Sequence, residues 1–217
     1  LCMFFIPLVT FAGNMKLHYD RPAEYFEEAL FIGNGTMGAT LYGGVKKDKI
    51  SFNDITLWTG EPESENSSPD AFNVIPEIRA LLDNEDYEGA DKAQYKVQGH
   101  YSENYQPLGT LTIEYLEDTA GFSDYHRWLD IGNATARTQY LKDGKLFTSD
   151  YFASAPDSVI VIRLKSENKE GIHALLSFDS PLPHSSQVAD NEISVEGYAA
   201  YHSFPVYYKA EDKHRYD

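Results

Sequence analysis

From residue 108 onward, short apolar runs alternate with polar turns at regular spacing, a rhythm that predicts a chain built mainly of β-strands. The expected strands are 111–115, 135–141, 147–153, 158–165, 172–178, 192–197 and 205–209. Between two of them, Lys142, Asp143, Gly144 and Lys145 form a hairpin signal, because glycine tolerates the positive φ that tight turns need. The run from Val159 to Ile162 is apolar at every position, which predicts a strand covered on both faces. Before residue 60 the same grammar recurs in shorter words. Leu30 to Ile32 and Ala39 to Tyr42 flank the turn-rich segment Gly33 to Gly38, and Gly43-Gly44 precedes a further run around Ile50 and Phe52. The stretch 17–28 is charged and aromatic without a clean period.

One region follows a different period. After a loop of Glu, Ser, Asn and Pro at 61–70, apolar residues at 74, 75, 78, 81 and 82 recur at helical spacing. Asn73 is the expected N-cap, Pro76 falls in the first turn, and Asp83-Asn84 is the stop. A second helix over about 85–97 completes a helical hairpin. The fold class expected is therefore mainly β, a large antiparallel β-sandwich with a small helical hairpin inserted.

Composition narrows what such a fold does. The 217 residues carry a formal charge of −16, which excludes a basic nucleic-acid surface and disfavours anionic lipid. Tyrosine dominates the aromatics, 16 against 12 Phe and 2 Trp, and suits both strand faces and sugar-contacting surfaces. The single cysteine, Cys2, excludes an intrachain disulfide and a cysteine-based zinc site. It lies in an apolar run, 1–12, that is too short to span a bilayer and reads as a signal-peptide remnant ending by residue 14, with Met15 as an alternative start. Export to the periplasm, cell surface or medium is the expectation.

Gly33 to Gly38 spells G-x-G-x-x-G, yet strand and turn residues follow it instead of a helix, so no pyrophosphate site can form there. Seven histidines are scattered singly, with no metal-ligand spacing, and neither a metal nor a cofactor is expected. Glycosidase chemistry needs two carboxyl groups flanking the bond, and among 34 acids no pair stands out. Trp58 and Trp128 are candidates to stack on sugar rings or to fill a core. Gln106, with donor and acceptor together, can read hydroxyls or satisfy a turn. His202 is a candidate to line a cleft or to sit at the surface.

Six segments in this order resemble the N-terminal domain of glycoside hydrolase family 95: EALFIGNG at 28–35, GGV at 43–45, NDITLWTG at 53–60, PEIR at 76–79, YQPLG at 105–109 and FASAPD at 152–157. Phe31 and Thr36 stand where the family usually has Pro and Arg. The resemblance covers residue 17 to the end and implies a non-catalytic β-sandwich (super-sandwich) domain over 15–217, stopping before its last strands. It implies as partner a downstream (α/α)6 barrel that removes terminal α-L-fucose, or α-L-galactose in some relatives, from glycans with inversion. No position here matches the barrel, so no catalytic residue carries over. A free-standing carbohydrate-binding or interface module is the alternative.

Overall fold

A computed structural model describes residues 15–60, 68–99, 101–116 and 121–216. The expected leader, most of the 61–70 loop and His100 lie outside them. The chain divides into two compact units, one of 1–57 with 107–198 and one of 58–106 with 199–217.

The first unit is a sandwich of two antiparallel five-stranded sheets. One sheet runs β1-β6-β7-β8-β9, with β1 Lys16–Tyr19, β6 Phe122–Asp130, β7 Thr135–Lys142, β8 Lys145–Ser154 and β9 Val159–Ser166. The other runs β10-β5-β4-β3-β2, with β2 Leu30–Gly33, β3 Met37–Leu41, β4 Lys47–Asp54, β5 Gly109–Tyr115 and β10 Ala174–Asp179. A separate hairpin pairs β11, His184–Ala189, with β12, Glu192–Gly197.

Alternation fixes which face is buried. Leu30, Ile32, Ala39, Leu41, Ile50, Ile113 and Tyr115 point inward from one sheet, and Ala136 and Tyr151 meet them from the other. A second cluster stacks Tyr125, Tyr140 and Phe147, with Tyr140 and Phe147 5.5 Å apart and nearly parallel, against Val45.

Several polar groups reach between the sheets and find partners there. Asp48, fully buried, accepts from the Tyr151 hydroxyl at 2.8 Å and from the Gly44 N–H at 2.8 Å. That cradle needs the glycine pair. Gly43 sits at φ 69°, and a Cβ on Gly44 would stand 2.0 Å from the Lys47 carbonyl oxygen. Burial outweighs these bonds and pushes the Asp48 carboxyl up to about 6. The Tyr125 hydroxyl donates to the Gly43 carbonyl at 2.6 Å. Arg127, 1% exposed, donates to the carbonyls of Arg21 and Glu28 and packs on Tyr19, 4.2 Å from the ring centre.

The second unit carries the helical hairpin, α1 Ala71–Asp83 and α2 Tyr87–Gln94, followed by a 3-10 turn. It also holds the two-residue pair β13 His202–Ser203 with β14 His214–Arg215.

Several expectations change. The first helix begins at Ala71, so Pro76 lies in its second turn and the cap position is Asp70 rather than Asn73. None of its residues is buried, so the bond that proline removes opens to water rather than to a core. Residues 205–209 are not a strand: Pro205 opens a turn closed by the Tyr208 N–H on the Pro205 carbonyl. The 159–162 run is not covered on both faces. β9 is an edge strand that packs Ile160, Ile162 and Leu164 inward and leaves Val159 43% exposed. The G-x-G-x-x-G segment is the β2–β3 hairpin, with Gly33 opposite Gly38 and the Asn34 side chain accepting from the N–H groups of Thr36 and Met37.

Candidate functional site

Two places gather chemistry, one in each unit. In the second unit the segment Trp58–Gly60 is laid between 103–106 and 200–203. The Thr59 N–H donates to the Asn104 carbonyl and the Thr59 hydroxyl accepts the Asn104 N–H, both at 2.9 Å, and Gly60 donates to the Tyr201 carbonyl at 2.8 Å. Glu103 is the hub. It accepts the Thr59 hydroxyl on one oxygen and meets His202 Nδ1 at 2.9 Å on the other. Burial works to raise its pKa, but the Thr59 and His202 bonds outweigh it and hold the carboxyl below its ordinary range. A carboxylate held ionised in this way positions its neighbours well and makes a poor proton donor.

Gln106 is buried and spends both ends of its amide on Ala200, donating to the carbonyl at 3.0 Å and accepting the N–H at 3.0 Å. Trp58 is 55% exposed and meets Tyr105 edge to face, with Tyr101, Tyr201 and Tyr207 also exposed in this unit. Three sequence candidates, Trp58, Gln106 and His202, are thus brought together. Gln106 is turned inward and Trp58 outward.

Trp128 belongs to the other unit. A bulge in β6 decides its orientation. Ser123 opposes Leu141 and His126 opposes Gln139, so Asp124 and Tyr125 share one partner position, and Asp124 takes φ 49°. Past the bulge Tyr125 and Arg127 point into the sandwich, whereas His126, Trp128 and Asp130 point out.

The register then lines five residues across the sheet, one per strand: His18, Trp128, Arg137, Asp150 and Arg163. The adjacent row is Lys16, Asp130, Thr135, Phe152 and Val161. All of these except His18 line a cleft of about 430 Å³. Arg137 donates to Asp150 at 2.5 Å and lies 5.7 Å from the Trp128 ring centre. Lys16 stands 3.5 Å from Asp130. The bond from Asn133, larger than the opposing burial, holds Asp130 below the usual carboxylate range, with Lys16 adding to it. Arg163 is exposed and has no carboxylate partner among the described residues. Sequence reading found Trp128 but not the row, because the row is set by strand register.

No helix among the described residues is long and apolar enough to cross a membrane. A family model described as "Glycosyl hydrolase family 65, N-terminal domain" matches residues 17–216. Alpha-L-fucosidase 2 of Arabidopsis thaliana is 32% identical over 187 residues, which is 84% of this chain and 22% of the plant protein. Probable alpha-fucosidase A of Aspergillus niger is 30% identical over 179 residues, 77% of this chain and 22% of the fungal protein. The protein of the same name in Aspergillus oryzae is 26% identical over 145 residues, 64% of this chain and 20% of its own length. The chain spans about a fifth of the length of these curated relatives.

Proposed function

The chain belongs to the glycosyl hydrolase family 65 N-terminal domain family, and from that premise we propose that it is the non-catalytic N-terminal sandwich of an exported α-L-fucosidase of the family 95 type. The observation that carries this reading is that two α-fucosidases share 30% or more of their residues with this chain over about a fifth of their own length. The six segments from 28–35 to 152–157 support the family 95 assignment.

The carboxyl groups support a non-catalytic role. A glycosidase acid must hold a proton beside an accessible sugar oxygen. Asp48, pushed up to about 6, is sealed between the sheets and cannot reach one. In the cleft, Asp130 and Asp150 are engaged by Lys16 and Arg137. Glu103 is kept ionised by Thr59 and His202. In this reading the chemistry falls to an (α/α)6 barrel following this domain, and the sandwich serves as its support.

Incubating the 217-residue chain with an α-1,2-fucosylated oligosaccharide tests the division of labour, with free L-fucose as the readout. No release above buffer is expected, and robust turnover overturns the non-catalytic role. The longer protein read from the same gene is expected to release fucose. Release of a different sugar overturns the fucosidase assignment.

A further inference from the structure

We propose that the outer face of the sheet β1-β6-β7-β8-β9 is a glycan-binding cleft that takes an oligosaccharide carrying a carboxylate-bearing sugar, seated on Phe152 and Trp128 with its carboxylate at Arg163. This goes beyond the fucosidase reading and does not rest on it.

Shape comes first. A cleft of about 430 Å³ falls within the range of small-ligand sites, and its floor is a hydrogen-bonded sheet that is already formed. Its two aromatic rings sit on neighbouring rows and leave Phe152 40% exposed, so an apolar sugar face has a surface to cover. Trp128 is held by Arg137, which is held in turn by Asp150. A platform fixed this way loses little side-chain freedom when a ligand arrives.

Charge then selects the ligand. The cleft carries three cations, Lys16, Arg137 and Arg163, against two carboxylates, Asp130 and Asp150. Lys16 and Arg137 are paired with those acids, whereas Arg163 has no carboxylate partner among the described residues. A free guanidinium fork beside an aromatic platform matches the planar geometry of a carboxylate. The surrounding chain, at −16, repels a polyanion such as nucleic acid while leaving room for isolated carboxylates on a sugar. Asp130 and Asp150 line the same cleft and, as carboxylates, can accept from a ligand's ring hydroxyls.

The test is calorimetric titration of the whole chain with three probes: a short oligogalacturonide, a sialylated trisaccharide, and the carboxyl-reduced form of the oligogalacturonide. Binding of at least one acidic probe with a dissociation constant on the order of 1 mM or tighter is expected, weakening as salt rises. Which acid binds separates an internal uronate from a terminal sialic acid. The neutral probe is expected to bind about fivefold more weakly. Arg163→Gln, an exposed edge-strand change, should erase that preference, and Phe152→Ala should weaken the acidic probe about tenfold. Circular dichroism melts of both variants confirm that the sheet is intact. No heat with either acid, equal affinity for the reduced probe, or an unaltered preference in Arg163→Gln each overturns the proposal. Loss of fucose release in the longer protein has no bearing on it.

Discussion

The two units hold themselves together by different means. In the sandwich, Leu41, Ile50, Ile113 and Tyr151 lose nearly all contact with water, and Asp48 enters hydrogen-bonded to Tyr151. In the second unit the buried positions among the described residues are Thr59, Ala90, Ala93, Gln106, Ala200 and Ser203, while Trp58, Tyr101, Tyr201 and Tyr207 are exposed. The first is stabilised by apolar area, which is non-directional and scales with the surface removed from water. The second is knit by directed bonds between segments 94 to 99 residues apart in the chain. Directed bonds are worth little net when made and leave a full desolvation penalty when broken.

The sharpest way to break this contrast is to empty the sandwich core. Ile50→Ala removes a fully buried side chain and leaves a cavity, so unfolding by denaturant should show a loss of about 4 kcal/mol. A change below about 1 kcal/mol would mean that the sheets do not depend on tight packing there.

The next effect is set by pH. The folded Asp48 carboxyl keeps its proton up to about 6, whereas the unfolded one releases it near 3.8. Between those values the folded state binds more protons, so this group lowers stability as pH rises through the window and contributes no further change above it. The loss is on the order of 3 kcal/mol. Subtracting the stability of Asp48→Asn from that of the parent at pH 4, 5, 6 and 7 isolates it. A difference that does not change with pH would show that folding does not raise the Asp48 carboxyl.

The smallest effect tests the second unit. Gln106→Ala strands the N–H and carbonyl of Ala200, a loss of about 2 kcal/mol. Hydrogen exchange should quicken at Ala200 while the amides of Ile50 and Ile113 keep their protection. Faster exchange in both places would erase the distinction between the units.

The same contrast explains what the sequence disclosed. Strands β7, β8 and β12 announce themselves because alternation maps directly onto a buried and an open face, and β9 by an unbroken apolar run. β6 does not, because the bulge at Asp124 moves the inward set from one parity to the other near its start. β1 is exposed at all four positions, so burial leaves no pattern in it. Gln106 and His202 stood out as polar residues, but their partners, Ala200 and Glu103, are fixed by tertiary pairing that no local period encodes. The rule that 159–162 should be covered on both faces failed because the outer face of this sheet is open, with Val161 lining the cleft there and Val159 exposed. Trp128 was visible as a residue, whereas the five-strand row it joins was not.

That row has the character of a ruler. Its marks are spaced by the distance between hydrogen-bonded strands, about 4.8 Å, and the backbone sets that pitch whatever side chains stand on it. Exchanging one side chain for another rewrites a single mark and keeps the scale. Adding or removing one residue within a strand turns its remaining side chains to the opposite face and breaks the scale. Descendants of this chain can therefore change what the face reads by substitution, while changes of length are confined to the turns, such as Asp143-Gly144, where the ruler has no marks.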